Sequence, residues 1–491
     1  DISVKFASGP AEGLNVRADR ASRWGVNSDV HITSSTLYWK DSQLAVIDSA
    51  AADAASGTVT LKLAAGVDAV LSERETPGMG VEIALLTRNI IIESEYTEGA
   101  TAGYDGGYLQ VLHTPGVAQV VEGVEFVRMG QKDVRNRHPV QLAYGKNVTG
   151  TSVSRNSIRD SGNGCVDVDG SSGAVVAGNV AHGTLDGHCY YVGYESTDNL
   201  LYGNLASVGH GDNGYQIMSP ENDFVGNVAA GNYGRGFYMN IDWKTNGEDD
   251  CYKCNYLYSG GNMRRKTMGA FRGNVAHSNY NQGFLLYNYE QFFEYRDEVN
   301  VPVFEDLKAY RNREHGIYAY NVIAAEWRGG LLSDNQWGML QRVSDRILIR
   351  DYTIVGSSRE FFDHTKTRSL KLCSHAGWDH YGIEMPPAIH RLGHADPMRG
   401  MKLRNVTISG FDRERTWYPN CKSTEPIHMG SDKKDGHFDY LTSSENVVVD
   451  DRREPSMIVD GCLAAVNPGT TDIVINDVDG SLDPSGRATS G

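Results

Sequence analysis

Two aspartates in the run GCVDVDG, Asp167 and Asp169, are the residues of this chain best placed to do chemistry. Alternate residues of an extended strand point the same way, so the two carboxyls share a face with their Cα atoms about 6.5–7 Å apart. Carboxyls about 5–10 Å apart are what glycosidic hydrolysis needs, one as proton donor and one as base or nucleophile. β-Elimination would instead use a cation to neutralise a uronate and a base such as His or Tyr. His188 and Tyr190 stand at the matching place of the next repeat. The same pair also suits plainer uses: closing a turn, holding a calcium ion, or sitting at a solvated strand edge. His375, His380, His390 and His394 lie in a Pro-rich stretch whose spacing fits no short metal motif, and they read as a polar loop.

What positions these side chains is a repeat between Ser154 and Ile241. VSRNSIRDSGNGCVDV, VVAGNVAHGTLDGHCYYV, LLYGNLASVGHGDNGYQIM and FVGNVAAGNYGRGFYMN each place an Asn in a turn between two apolar segments, at Asn156, Asn179, Asn204 and Asn227. The following glycines, Gly164, Gly187, Gly214 and Gly236, keep a similar step. A fixed period of this size means stacked repeats. The segments are too short for helices, rich in β-branched and aromatic residues, and bounded by Gly, Asn, Asp and Ser. Three short strands and tight turns use up one such repeat, so the chain returns about 4.8 Å above its start. The expected fold is all-β, a single-stranded right-handed parallel β-helix, with the Asn at an inward turn bonded to its copies above and below.

Strand alternation then sorts the side chains. Counting from each glycine puts Cys165/Asp167, Cys189/Tyr191, Tyr215/Ile217, Phe237/Met239, Phe284/Leu286 and Ile317/Ala319 inward. The opposite set faces out and holds Tyr190, Tyr238, Tyr287, Tyr318 and Tyr320. Such a ladder could stack on sugar rings, since Tyr offers a flat apolar face with a polar tip, or could lie beneath another part of the chain.

A chain of 491 residues is long for one globular core, but solenoids grow by adding coils. A formal charge of −16 argues against nucleic acid, which needs a basic footprint. No apolar run approaches the length of a membrane span, and no cofactor motif occurs. There are seven cysteines. Cys165 and Cys189 occupy one register of neighbouring coils, at a spacing compatible with a disulfide. Cys251 and Cys254 form a CxxC that lacks a second pair for zinc and reads as a disulfide, local or longer-range. Cys373, Cys421 and Cys462 follow, and the odd total leaves one thiol unmatched. Sequons at Asn147 and Asn405 permit glycosylation and secretion. Asp1 follows no initiator Met or signal-like stretch, which reads as a piece of a longer protein.

Three regions follow from the pattern. Residues 1–80 read as an N-terminal β region capping the helix. Residues 81–355 read as the β-helix, opening with VEIALLTRNIIIESE as a buried parallel strand and interrupted by an insertion at about 241–267. Residues 356–491 read as C-terminal coils, loops and a turn-rich tail, irregular in spacing.

In order and spacing, VEIALLTRNIIIESE, GVEFVRMGQ, RHPVQL, SIRDSGNGCVDVDGSSGAVVAGNVA, DGHCYYV and INDVDGSL resemble the family of cell-migration-inducing and transmembrane cell-surface hyaluronidases, whose architecture fibrocystin-like proteins share. The resemblance covers roughly residues 80–340 and implies an extracellular right-handed parallel β-helix with a link to polysaccharide. Arg137, Pro139 and His188 match the family's centre, which makes Arg137 a further candidate catalytic residue. Where the family shows a Pro-x-His-x-His strand, this chain reads Pro139-Val140-Gln141-Leu142-Ala143, so both histidines are replaced. Two function classes stay open. One is an extracellular β-helix that binds or acts on a polysaccharide, as hydrolase or lyase. The other is a non-catalytic structural subunit of a coat, fibre or appendage, partnered by copies of itself or by other subunits.

Overall fold

The structure, a computed structural model, describes residues 24–53, 58–65, 78–95, 105–112, 116–241, 266–289 and 301–356 apart from 321 and 343. It also describes Ser358 and the segments 2–5, 380–384, 401–411, 424–428, 441–450 and 474–477. Cys251, Cys254, Cys373, Cys421, Cys462, His375, His390 and His394 lie outside these residues, and His380 opens the strand His380–Glu384. The described secondary structure is entirely strand and turn. Contacts divide the chain into two compact units, Asp1–Tyr215 with Asp223–Gly234, and Gln216–Asn222 with Arg235–Gly491.

The first unit contains parallel coils of three strands. One wall stacks Leu109–Val111, Val140–Asn147, Val166–Ser172 and Tyr190–Val192. The second stacks Val120–Glu122, Ser152–Ser154, Val175–Ala177 and Leu200–Tyr202. The third stacks Val124–Val127, Ser157–Ser161, Val180–Thr184, Leu205–Ser207 and Val228–Ala230. The protein is thus a parallel β-helix. The turn asparagines form the expected ladder. Asn156, Asn179 and Asn204 each donate from Nδ2 to Oδ1 of the next Asn at 3.0 Å. Each also donates to a carbonyl of the preceding coil, at Val121, Val153 and Val176. Burying four amides in one column is tolerable because each is hydrogen-bonded on both sides.

Inside, Ala181, Ala206 and Ala229 make a thin wall, each with no exposed surface. The space they leave is filled from the opposite wall by Tyr190 and Tyr215, whose rings stack at 4.8 Å and 10°. Their hydroxyls donate to turn carbonyls, Tyr190 to Asn179 and Leu205, Tyr215 to Asn204. This corrects the inward register in two coils. Val166/Val168 and Tyr190/Val192 point in, and Asp167 and Tyr191 point out, so Tyr190, 1% exposed, is a core residue and offers no face to sugar. The column that glycine holds before the strands at Gly214 and Gly236 is held by Cys165 and Cys189 one coil after another; the amides of Cys189 and Tyr190 bond to the carbonyls of Asn213 and Gly214. Gly164 and Gly187 belong to the preceding turn. Cys165 and Cys189 are buried free thiols that hydrogen-bond to each other, not a disulfide.

The N-terminal strands form an antiparallel sheet ordered Ile2–Lys5, Thr58–Leu63, Gln43–Asp53, Asp29–Ile32 and Ile83–Leu85. It seats on the flank of the third wall. Ala84 and Leu86 pack on Val180, Leu205 and Ala230, and His31 Nε2 meets Ser207 Oγ at 2.8 Å. A solenoid wall facing water would be polar at those positions; here they are apolar because a sheet covers them. The run expected as one buried strand from residue 81 is therefore two elements. Ile83–Leu85 completes the antiparallel sheet, and Ile90–Glu93 begins the coils by pairing with Val124–Val127. The latter is exposed along its length.

The second unit repeats the plan. Phe237–Asn240, Phe284–Tyr287, His315–Tyr320, Trp337–Arg342, His380–Glu384 and Thr424–His428 stack in parallel. Long strands including Val303–Tyr310, Ile323–Ser333, Met401–Ser409 and Leu441–Asp450 build its other walls. Its inward column, Phe237, Phe284, Ile317 and Met339, follows the sequence expectation where one was made. Coils extend to Val474–Asp477, well into the region whose spacing reads as irregular.

Candidate functional site

Register builds the site. On the outward face of the first wall, Gln141, Asp167 and Tyr191 form one row, and Ala143 pairs with Asp169 in the next. Asp167 is only 2% exposed and Gln141 fully covered. Asp167 Oδ2 lies 3.3 Å from His138 Nε2. Its Oδ1, and both amide atoms of Gln141, have no hydrogen-bond partner. Buried polar atoms without partners are costly.

Burial pushes the Asp167 carboxyl well up, and the neighbouring Asp169 adds to it, against the pull of Arg135. Burial also pushes His138 down to about 4, helped by His188 and opposed by Asp186. Both shifts favour the neutral forms of the pair. Asp169 is likewise raised by burial but held back by Arg135 and by a hydrogen bond from the Tyr144 hydroxyl. Burial thus raises both carboxyls, with Asp169 adding to the rise at Asp167 and Tyr144 opposing it at Asp169.

The backbone around Asp169 is shaped for this. The pairing of Val140–Asn147 with Val166–Ser172 slips between Ala143 and Lys146. Tyr144 and Lys146 both adopt left-handed φ, 54° and 55°, which is rare for a bulky residue and marks strain held by its surroundings. The slip swings Tyr144 over Gly170, where a Cβ would come 2.9 Å from the ring. One coil on, a Cβ at Gly193 would lie 2.0 Å from Asp169 Oδ1, so the carboxyl rests where a side chain would otherwise be.

The remaining expected residues distribute unevenly. His188 joins the edge of the cluster. Its ring stacks on Tyr191 at 6.3 Å and 15°, and its Nδ1 accepts from Asn213 at 3.3 Å. Arg137 turns aside, its guanidinium 4.3 Å over the Tyr108 ring. The cation whose field reaches Asp167, Asp169, Tyr144 and Tyr191 is Arg135. Stepping one period back from Asp167 points to Gln141, but Arg135, His138 and Tyr144 sit in a loop and a bulge that carry no period. Tyr238, Tyr287, Tyr318 and Tyr320 lie on the outward face of the second unit, half-buried. Among the described residues no three His, Cys, Asp or Glu side chains come together to hold a metal. The sequon at Asn147 is exposed, its Oδ1 accepting from Thr149. Asn405, also exposed, is tied at both ends to Asp351 and Asn446. No described helix is long and apolar enough to cross a membrane.

Residues 104–212 and 210–284 match the family described as CEMIP beta-helix. A G8 domain-containing protein of Dictyostelium discoideum is 29% identical over 250 residues, 45% of this chain and 20% of that protein. Human cell surface hyaluronidase CEMIP2 is 24% identical over 263 residues, 42% of this chain and 18% of that protein. Among solved structures, the catalytic domain of a GH87 α-1,3-glucanase in complex with tetrasaccharides aligns with 86% of this chain and 84% of its own, at 12% identity and a TM-score of 0.40. The chain spans about a fifth of the length of the first curated relatives it matches.

Proposed function

We infer, from the premise that residues 104–284 carry a β-helix of the CEMIP family, that this protein binds a polysaccharide outside the cell or at its surface, and that Asp167 and Asp169 act on it as an acid and base pair. The observation carrying this reading is the buried acid of Asp167, set beside a second carboxyl on the same face and beside the unmatched amide of Gln141. Asp167 supplies the proton to a glycosidic oxygen, with His138 holding the acid in place. Asp169, its charge favoured by Arg135 and Tyr144, serves as the base or nucleophile. The relative named a cell surface hyaluronidase supports both the location and the substrate class.

Incubation with hyaluronan, chondroitin, alginate, pectin and neutral glycans tests this, following chain length and unsaturated-uronate absorbance. Asp167→Asn keeps the shape of the side chain and removes its proton. Chains shortened by the wild type and spared by the variant are expected, with a loss of about 100-fold or more in rate. Intact chains across the panel would sink the catalytic reading. One observation would then favour a non-catalytic scaffold: Asp167 and Gln141 are covered by the protein's own chain.

A further inference from the structure

The second unit carries a set of contacts that the acid pair does not use. Ahead of three successive strands of its first wall, Arg235, Gln282 and Glu314 are linked side chain to side chain. Arg235 Nε donates to Gln282 Oε1 at 2.9 Å, and Gln282 Nε2 donates to Glu314 Oε2. This row stands beside the outward positions of the same strands, where Tyr238, Leu285 and Tyr318 are in register and Tyr287 and Tyr320 follow two residues on. The two sets touch at both ends. The Arg235 guanidinium lies 4.7 Å over the Tyr238 ring. His315, 3.9 Å from Glu314, stacks on Tyr318 at 5.0 Å. Leu285, between Tyr238 and Tyr318 in their row, is 5% exposed, and Tyr287 and Tyr320 stack at 4.9 Å and 10°. His315 Nδ1, buried at the rim, has no hydrogen-bond partner.

We propose that the second unit holds its own carbohydrate site, in which pyranose rings of an oligosaccharide lie on the Tyr238, Tyr287, Tyr318 and Tyr320 platform and bond through their hydroxyls to the Arg235, Gln282 and Glu314 rim. Aromatic faces bind the apolar side of a sugar ring. The rim offers a donor, a donor and acceptor, and a carboxyl in that order, one per coil, so a glycan running along the stack meets a polar group about every 4.8 Å. Because the rim side chains already fix one another, little ordering is left to do on binding. Arg313, over Tyr280 at 4.3 Å, adds a second guanidinium near Glu314. Burial raises the Glu314 carboxyl against both cations, which favours a form that can donate to a hydroxyl.

This rests on the reading that the ligand is a glycan, and the test separates the two. Isothermal titration of the full chain would use a hyaluronan octasaccharide as acidic probe and cellohexaose as neutral probe. The variants are Tyr318→Ala, the isosteric Glu314→Gln, and Asp167→Asn, each checked by circular dichroism. Tyr318→Ala is expected to weaken binding of at least one probe about tenfold. Glu314→Gln should weaken it several-fold. Wild-type affinity in both second-unit variants, with binding lost in Asp167→Asn, would overturn the second site and leave the first standing. Absence of binding of either probe to the wild type would overturn both.

Discussion

At the scale of single residues, burial governs the ionisable groups of the candidate site. Burial raises the Asp167 carboxyl well above its ordinary range and lowers His138 to about 4. With Asp167 as the acid, a pH–rate profile is expected to show activity falling as pH rises through the raised carboxyl pKa. Asp169 is steered by packing rather than by a partner charge alone. In Gly193→Ala the new methyl would overlap the Asp169 carboxyl, whose cheapest response is to rotate off the Tyr144 hydroxyl. Glycan cleavage is expected to drop to the level of Asp169→Asn while the melting temperature moves by only a few degrees. Activity intact in Gly193→Ala would remove Asp169 from the chemistry. The acid pair itself was legible from its spacing on a strand. Arg135 and His138 were not, because they follow left-handed turns at Asp133 and Asn136 that aim side chains without any repeat.

At the scale of elements, the ladder of asparagines sets the height and angle of every coil, and it was readable because Asn156, Asn179, Asn204 and Asn227 recur almost evenly. The glycines recur less evenly, and the long step from Gly187 to Gly214 is the trace of the shifted register that sends Tyr190 inward. Removing an inner rung is costly. Asn204→Ala takes the acceptor from the amide and side chain of Asn179, and the donor from the Val176 carbonyl and Asn227. At about 1 kcal/mol for each of the four hydrogen bonds removed, chemical denaturation should show a loss of about 4 kcal/mol. A change below about 1 kcal/mol would mean that water replaces the amide. Asn147→Ala, at an exposed turn, should be close to neutral by the same measurement.

At the scale of the whole molecule, the seating of the N-terminal sheet could not be foreseen from the repeat, since it hangs on isolated residues. His31 and His182 meet ring to ring at 4.4 Å, and Trp39 meets His210 and Tyr233. Burial lowers His31 well below its ordinary range and His182 to about 4, with Arg159 and His210 also disfavouring charge on His182. The unfolded chain takes up protons near pH 6.5 and the folded chain only near 4, so stability is full above 6.5 and falls between 6.5 and 4, by about 3 kcal/mol for His182. Thermal melts at pH 7.5 and 4.5 should differ more in the wild type than in His182→Asn; an equal difference would place the acid sensitivity elsewhere. The evenly spaced rungs also bear on how such a protein can change over generations. Duplicating or losing one repeat, cut anywhere within it, returns the next strand to the same wall with the same side facing in. A single residue gained or lost inside a strand would turn every later residue of that strand inside out. Length is therefore inherited in whole coils, while novelty between them is confined to the turns, where Asp167 has its His138 and Glu314 its rim.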